Sequence, residues 1–208
     1  MKKSINLIAT PLSHFGRKVR ILLDLYQLPY QFTDLVSIAS LKTPSAIGNN
    51  PLMKVPILQI EDDWLIESDH IASYLVTQFD PVDKFAVHTK AVFDLNARAI
   101  MNGVMNEEVK IIMAGRHNVP TKNFTYFTRA EDAVTHGLTW LNAHHHQFDS
   151  KTPKYREFHL VCCWEHLVYY DFIPGISSKF PHLYELVSQV SVSTPVIQQS
   201  APFKLVPK

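Results

Sequence analysis

A hydroxyl group just before a predicted helix is the first chemical feature of the chain. From Phe15 onward, apolar side chains recur at helical spacing, and Ser13 precedes this stretch. A serine at this position can accept hydrogen bonds from the free backbone N–H groups of the helix start. Its hydroxyl can also donate to a charged acceptor, a stronger interaction than a neutral hydrogen bond. Thr10 is an alternative hydroxyl group, three residues earlier.

The second feature is the stretch Asn50–Ser68, in which a proline interrupts an apolar run. Pro56 has no N–H group, so we expect it at the first residue of a strand or on a sheet edge. The backbone of Val55 is then free to pair with an extended peptide ligand. Glu67 and Ser68 open the next amphipathic stretch, where the N–H groups of a helix start suit a carboxylate. The stretch predicts a peptide-binding edge that faces an anion-binding helix start.

Other reactive side chains favour structural roles. The consecutive histidines His144–His146 splay around a helix and do not converge on one ion, so no metal site is expected. The pair Cys162–Cys163 lies in an apolar helical stretch and is interpreted as packing. Arg17, Lys18 and Arg20 are expected to form the solvated face of their helix. A serine hydrolase is disfavoured because the chain has no G-x-S-x-G turn.

The first part of the chain predicts a small α/β domain that positions these groups. The apolar runs Ile5–Ala9 and Tyr30–Leu35 read as strands on either side of the first helix, which makes a βαβ unit with parallel strands. A hairpin beginning at the proline-containing strand and a further helix follow. A polar break at residues 80–84 ends this domain, which we assign to residues 1–80.

The remainder of the chain, residues 88–208, shows helical periodicity and no confident strand. The first of its helical stretches reads as one long helix or as one bent around Gly103. The stretches are 88–117, 124–148, 154–170 and a short one from 180, followed by a tail from 192. The predicted fold class is therefore α/β plus all-α.

Composition indicates an ordinary globular protein. Of the 208 residues, 46% are hydrophobic and 19% are charged, and the net charge is +1. This charge gives no electrostatic footprint for nucleic acid or an anionic membrane. No apolar run is long enough to span a bilayer, and two adjacent cysteines form no disulfide framework. We expect a cytoplasmic protein with no nucleic-acid or membrane partner.

Three motifs resemble those of the glutathione transferase superfamily. Ser13–Arg20 is similar to the loop-to-helix motif in which Ser, Cys or Tyr precedes a basic-apolar-basic helix. Asn50–Leu58 resembles N-P-x-G-K-V-P-x-L, whose proline is cis, and Glu67–Leu75 resembles E-S-x-A-I-x-x-Y-L. The resemblance covers about the first 80 residues well. It implies an N-terminal thioredoxin-like βαβ-ββα domain followed by a C-terminal α-helical bundle.

The resemblance also implies a reaction. Glutathione is the co-substrate, and its thiolate attacks a small hydrophobic electrophile, with Ser13 as the activating hydroxyl of a bacterial-type enzyme. The electrophile is expected between the two domains. Family members are mostly homodimers, and no metal is implied. The expected pocket walls are Asn96, Ile100, Met101 and Val104.

A glutathione-binding set follows from the same resemblance. The backbone of Val55 is expected to pair with the cysteinyl part of glutathione, while Pro56 holds the turn. Glu67 is expected to contact the ammonium group of the γ-glutamyl end, and Ser68 its carboxylate. Lys54 is expected near the glycyl carboxylate, with a solvated side chain as the alternative.

The sequence departs from the family pattern at two places. Met53 stands where the family has glycine, which is expected to reshape the loop near the ligand. The helix that begins near Lys154 usually starts with Ser/Thr-x-x-Asp in the family. Here Thr152 is present, but Tyr155 occupies the aspartate position, and the missing cap is expected to cost about 1 kcal/mol.

Three alternatives to a transferase stay open. A binding module of the same fold would retain ligands without useful turnover. A thiol–disulfide reductase requires a sulfur nucleophile, which Ser13 does not supply. A zeta-like isomerase usually carries Ser-Ser-Cys where this chain has Ser13-His14-Phe15.

Overall fold

The computed structural model describes residues 4–35, 38, 41–122 and 124–206. The chain divides into two compact units. The first contains residues 1–88 and 195–208, and the second contains residues 89–194. None of the described helices is long and apolar enough to cross a membrane.

A four-stranded sheet forms the centre of the first unit. Its strands, in the spatial order β2-β1-β3-β4, are β1 (Ile5–Ala9), β2 (Gln31–Asp34), β3 (Ile57–Ile60) and β4 (Asp63–Ile66). β1 runs parallel to β2 and antiparallel to β3, and β3 is antiparallel to β4. Leu7 and Leu58 pair directly on the two inner strands, and both are completely buried. The predicted βαβ unit and hairpin are confirmed.

Two helices of the first unit pack against each other. Helix α1 (His14–Leu25) connects β1 to β2, and α2 (Ser68–Phe79) follows β4. The apolar positions predicted for α1 are buried, as Val19 and Leu22 show. The expected βαβ-ββα arrangement is therefore confirmed. The described part of this unit also has short helical segments at Pro44–Ile47, Pro195–Ser200 and Pro202–Leu205.

The C-terminal segment of the chain lies against α1. Arg17 is 3% exposed, and its guanidinium donates to the Ile197 carbonyl at 3.1 Å and to Ser200 Oγ at 3.3 Å. The structure groups residues 195–208 with the first unit, whereas the sequence-based division placed them with the helices. The expectation that Arg17 and Lys18 lie on a solvated face is wrong. Both side chains are buried because they have fixed polar partners, which lowers the cost of burying a charge.

The second unit contains the predicted helices and, among its described residues, no strand. The helices are α3 (Val92–Arg116), α4 (Thr125–Ala143), α5 (Tyr155–Tyr169), α6 (Ile176–Lys179) and α7 (Pro181–Ser193), with a 3-10 turn at His145–Gln147. Helix α3 continues without interruption through Gly103. At Gly137 on α4, a Cβ atom would lie 2.6 Å from Val104 Cγ2 and 3.2 Å from Ile100 Cγ2. This glycine therefore allows α3 and α4 to approach closely. The all-α class of this part is confirmed.

The start of α5 has Lys154 at its cap position and Glu157 in its first turn. The carboxylate of Glu157 accepts the backbone N–H of Lys154 at 2.9 Å and that of Asp149 at 3.1 Å. Glu157 is completely buried, and Arg156 donates to the same carboxylate. Thr152 is not the cap residue of this helix, and the expected cost of about 1 kcal/mol for the missing cap stays a prediction.

We predict that Glu157→Ala lowers the free energy of unfolding by about 2–4 kcal/mol, because a completely buried carboxylate loses its hydrogen bonds to two backbone N–H groups and to Arg156. Urea unfolding followed by circular dichroism measures this change. Thr152→Val is the matched control: it removes one exposed hydrogen bond to Asp149 and should cost at most about 1 kcal/mol. Equal effects of the two substitutions would contradict a stabilising role of the Glu157 carboxylate.

Candidate functional site

The turn between β1 and α1 places the Ser13 hydroxyl at the helix start. The Ser13 N–H donates to the Thr10 carbonyl at 3.1 Å, and Ser13 Oγ accepts the Gly16 N–H at 3.0 Å. Ser13 is therefore the N-cap of α1, with extended backbone angles. A hydroxyl that accepts one hydrogen bond still has its own proton to donate. The bond from Gly16 fixes the oxygen atom, and the half-buried side chain is open to a ligand.

Gly16 is a site residue that the sequence reasoning missed. A Cβ atom at this position would lie 2.8 Å from Ala9 Cβ, so only glycine lets α1 begin directly against the end of β1. The same residue supplies the N–H that positions Ser13 Oγ. The available signal was a glycine near the start of a helical stretch, where its propensity is unfavourable and a packing reason is expected.

Asn50 is the second missed residue, and it holds the loop before β3. The side chain is 2% exposed, its Nδ2 donates to the Lys54 carbonyl at 2.7 Å, and its Oδ1 accepts the Leu52 N–H at 2.9 Å. These two bonds close the loop that leads into the cis Val55–Pro56 peptide bond. The sequence indicated only an Asn-Pro turn, because the partners of a buried amide are not visible in a local pattern.

The backbone of Val55 lies outside the sheet ladder. Pairing between β1 and β3 ends at Ile8 and Ile57, and Pro56 immediately precedes the strand. Within the described part of the chain, no residue forms a hydrogen bond with the Val55 backbone. Lys54 is exposed beside it. The backbone of this segment is outside the ladder, and its pairing with an external peptide stays a prediction.

Helix α2 begins at Ser68, which is 4% exposed. Glu67 occupies the cap position with φ 69° and ψ 115°, and its carbonyl accepts the Ile71 N–H at 2.9 Å. Positive φ at a residue other than glycine is uncommon and costs about 1–3 kcal/mol, and such residues cluster at functional sites. The Glu67 side chain is exposed and forms no cap hydrogen bond with the helix.

The strand register brings these three segments to one end of the sheet. Ile8 near the end of β1 pairs with Ile57 at the start of β3, and Ile57 pairs with Ile66 at the end of β4. The turn after β1, the loop before β3 and the helix start after β4 therefore leave the sheet at the same end. A hydroxyl, an unpaired backbone segment and a helix N-terminus with an exposed carboxylate are combined there.

The four residues expected to form an electrophile pocket lie on α3 of the second unit. Ile100 and Val104 face Gly137 of α4, and Met101 is completely buried. Asn96 is exposed. Packing roles are established for Ile100 and Val104, and the role of all four as pocket walls stays a prediction.

The remaining reactive side chains occupy the second unit. His144 stacks on Trp140 with ring centroids 4.2 Å apart, whereas His145 stacks on His182 at 4.1 Å. Adjacent histidines thus contact different partners. The pair Cys162–Cys163 is completely buried in α5, which agrees with its interpretation as packing.

Met53, at the family's glycine position, adopts a left-handed conformation with φ 52°. Its side chain packs against the buried cluster of Ile8, Ile47 and Ile57. The backbone thus keeps the conformation that favours glycine, and apolar packing offsets the cost of the side chain. Met53 therefore occupies the glycine position without requiring the change in loop shape that the sequence led us to expect.

We predict that Met53→Gly is more stable than Met53→Ala by about 1 kcal/mol, because both lose the side-chain packing and only alanine keeps the left-handed penalty. Thermal unfolding of the two variants measures the difference. An alanine variant as stable as the glycine variant would contradict the backbone conformation.

Comparisons with known proteins agree with this geometry. Residues 7–83 match the family model described as glutathione S-transferase, N-terminal domain. Among curated proteins, none matches the chain significantly.

Three similar solved structures cover nearly the whole chain. A glutathione S-transferase from Methylobacterium radiotolerans in complex with glutathione sulfonate is 18% identical, with a TM-score of 0.80, covering 96% of this chain and 95% of that chain. A glutathione S-transferase from Methylobacillus flagellatus with GSH bound is 19% identical, with a TM-score of 0.80 and coverages of 96% and 100%. A glutathione transferase family member from Pseudomonas fluorescens with bound glutathione is 21% identical, with a TM-score of 0.77 and coverages of 96% and 99%.

These findings and the fold define a protein with a thioredoxin-like N-terminal domain and a helical C-terminal region. Residues 7–83 are thus similar to the N-terminal domain of glutathione S-transferases, as the motifs indicated, and the chain as a whole has the fold of these three structures.

Proposed function

We propose that this protein binds glutathione and activates its thiol for attack on a small hydrophobic electrophile. The observation that carries the proposal is the convergence of three segments at one end of the sheet: the Ser13 turn, the Val55 backbone and the start of α2. Each offers a group that one part of glutathione requires. The bound glutathione and glutathione sulfonate in the similar solved structures support this ligand class.

Each part of glutathione has a partner in the proposal. The Val55 backbone, set by Pro56, pairs with the cysteinyl residue. Ser68 and the N–H groups of its helix start bind the γ-glutamyl carboxylate. The exposed carboxylate of Glu67 binds the neighbouring ammonium group, and the exposed Lys54 binds the glycyl carboxylate.

Thiol activation requires a modest free energy. A thiol with a pKa of about 8.5 is only a few per cent ionised at neutral pH, and lowering the pKa by about two requires roughly 2.7 kcal/mol. The start of α1 supplies roughly 0.3–2 kcal/mol, and a hydrogen bond from the Ser13 hydroxyl to the thiolate supplies about 1.5–3 kcal/mol. Together these terms suffice, so the mechanism requires no metal.

The chemical step is addition or substitution at carbon. The thiol proton passes to solvent when the thiolate forms, and the sulfur then donates an electron pair to make the S–C bond. In an addition, the electron pair of the broken π bond moves to the neighbouring atom, which takes a proton from solvent. In a substitution, the leaving group departs with the electron pair of the broken bond. Asn96 on α3 is the exposed candidate for contact with the electrophile.

The proposal includes a cytoplasmic homodimer. The exposed side chains of Leu52 (56%) and Trp64 (43%) in the first unit offer apolar surface for a second copy. Composition and the two adjacent cysteines support a reducing compartment.

We predict that the thiol of bound glutathione has a pKa at least one below that of the free thiol, and that Ser13→Ala raises it by about 1–2 because the hydroxyl donor is lost. The ultraviolet thiolate absorbance of the saturated complex, recorded across pH, measures both values. Thr10→Val is the control and should leave the pKa unchanged.

If Thr10→Val, and not Ser13→Ala, raises the pKa of the bound thiol, the activating hydroxyl is that of Thr10. Glutathione bound with an unshifted thiol would contradict the transferase proposal and favour a binding module. No binding at all would remove glutathione as the ligand.

We predict that Glu67→Gln raises the Kd of glutathione about tenfold or more, because a charge-assisted hydrogen bond to the ammonium group is lost. Glutaryl-cysteinylglycine lacks that ammonium group, so it should bind the wild type and Glu67→Gln with the same Kd. Isothermal titration calorimetry with the two peptides measures the effect. If Glu67→Gln raises the Kd of both peptides by the same factor, Glu67 does not contact the ammonium group.

A further inference from the structure

A completely buried ammonium group lies beside the proposed glutathione site. Lys18 on α1 is 0% exposed, and its Nζ donates to Asp69 Oδ1 at 3.1 Å. Nζ also lies 5.6 Å from the centroid of the Phe15 ring. Removing an ammonium group from water is costly, and a buried ion pair is often no more stabilising than apolar residues of the same volume. Stability alone is therefore a weak reason for this pair.

The pair joins the two helix starts that the proposed function uses. Asp69 is the second residue of α2 and directly follows Ser68. Lys18 lies five residues after Ser13, and long side chains on a helix lean back toward its N-terminus. The ammonium group of Lys18 thus fixes the first turn of α2 to α1.

Asp69 presents a specific difficulty for ligand binding. A carboxylate in the first turn of a helix is attracted to the free N–H groups of that helix start. Those are the groups proposed to bind the γ-glutamyl carboxylate at Ser68. An unpaired Asp69 would therefore compete with the ligand for them and repel it by like charge. In the structure, one Asp69 oxygen is held by Lys18.

We infer that Lys18 is a positioning residue for ligand recognition: it neutralises Asp69 and directs its carboxylate to α1, which keeps the start of α2 available to an external carboxylate. This inference rests on the proposed function, because it concerns the γ-glutamyl end of the same ligand. Lys18 acts through Asp69 and does not itself contact the ligand.

The test compares glutathione with γ-aminobutyryl-cysteinylglycine, which lacks only the γ-glutamyl carboxylate. Lys18→Met should raise the Kd of glutathione roughly tenfold, equivalent to about 1.4 kcal/mol, and leave that of the analogue unchanged. Adding Asp69→Asn to Lys18→Met should return glutathione affinity to within about threefold of the wild type, because the competing charge is removed. Isothermal titration calorimetry gives all of these constants.

Two controls separate recognition from folding. Lys18→Arg keeps the charge and should bind glutathione like the wild type. Lys84→Met removes a lysine that lies 5.3 Å from the Phe85 ring, away from the three segments of the site, and should change neither Kd. Circular dichroism establishes that each variant is folded.

Two results together would overturn the inference and leave the pair as a folding element. Lys18→Met would raise the Kd of glutathione and of the analogue by the same factor, and the double variant would not recover glutathione affinity. Unchanged glutathione affinity in Lys18→Met would overturn it as well, while the proposed function would stand. Absence of glutathione binding to the wild type would overturn both, so the two failures are distinguishable.

Discussion

The first turn of every helix contains backbone N–H groups without partners in their own helix, and the chain must provide acceptors for them. Helix α1 uses the Ser13 hydroxyl, which accepts the Gly16 N–H. At α2, Glu67 occupies the cap position without a side-chain cap bond, and the first helical residue, Ser68, is buried. In the proposed function, the carboxylate of the ligand binds to the N–H groups at the start of α2, as the Ser13 hydroxyl does at the start of α1.

The register of the sheet converts this local property into a site. Ile57 pairs with Ile8 on one side and with Ile66 on the other, so two helix starts and one loop emerge together. A slip of one residue would turn the buried side chains of β3 to the opposite face, so the register is strongly specified. Gly16 and Asn50 then determine the positions of the segments, the first by allowing close approach and the second by closing a loop.

The sequence predicted those parts of the structure that are determined by neighbouring residues in the chain. Hydrophobic periodicity and turn residues predicted the strands, the helices and the starts of α1 and α2. The burial of Arg17 and Lys18 was not predictable from helix periodicity, because their partners lie in the C-terminal segment and on α2. The hydrogen bond from Asp149 to Glu157, across the start of α5, was not predictable because residue spacing does not reveal it. The packing of Ile100 and Val104 on α3 was also not predictable, because it depends on the close approach of Gly137 on α4.

The central claim is that glutathione binds as a thiolate at neutral pH. The most direct test counts the protons released on binding, by calorimetry at pH 7 in buffers of different ionisation enthalpy. If the pKa falls by about two from about 8.5, binding releases roughly 0.7 proton per glutathione. S-methylglutathione has no ionisable thiol and should release none from sulfur. Equal proton release by the two ligands would contradict thiolate formation and, with it, the account of the site.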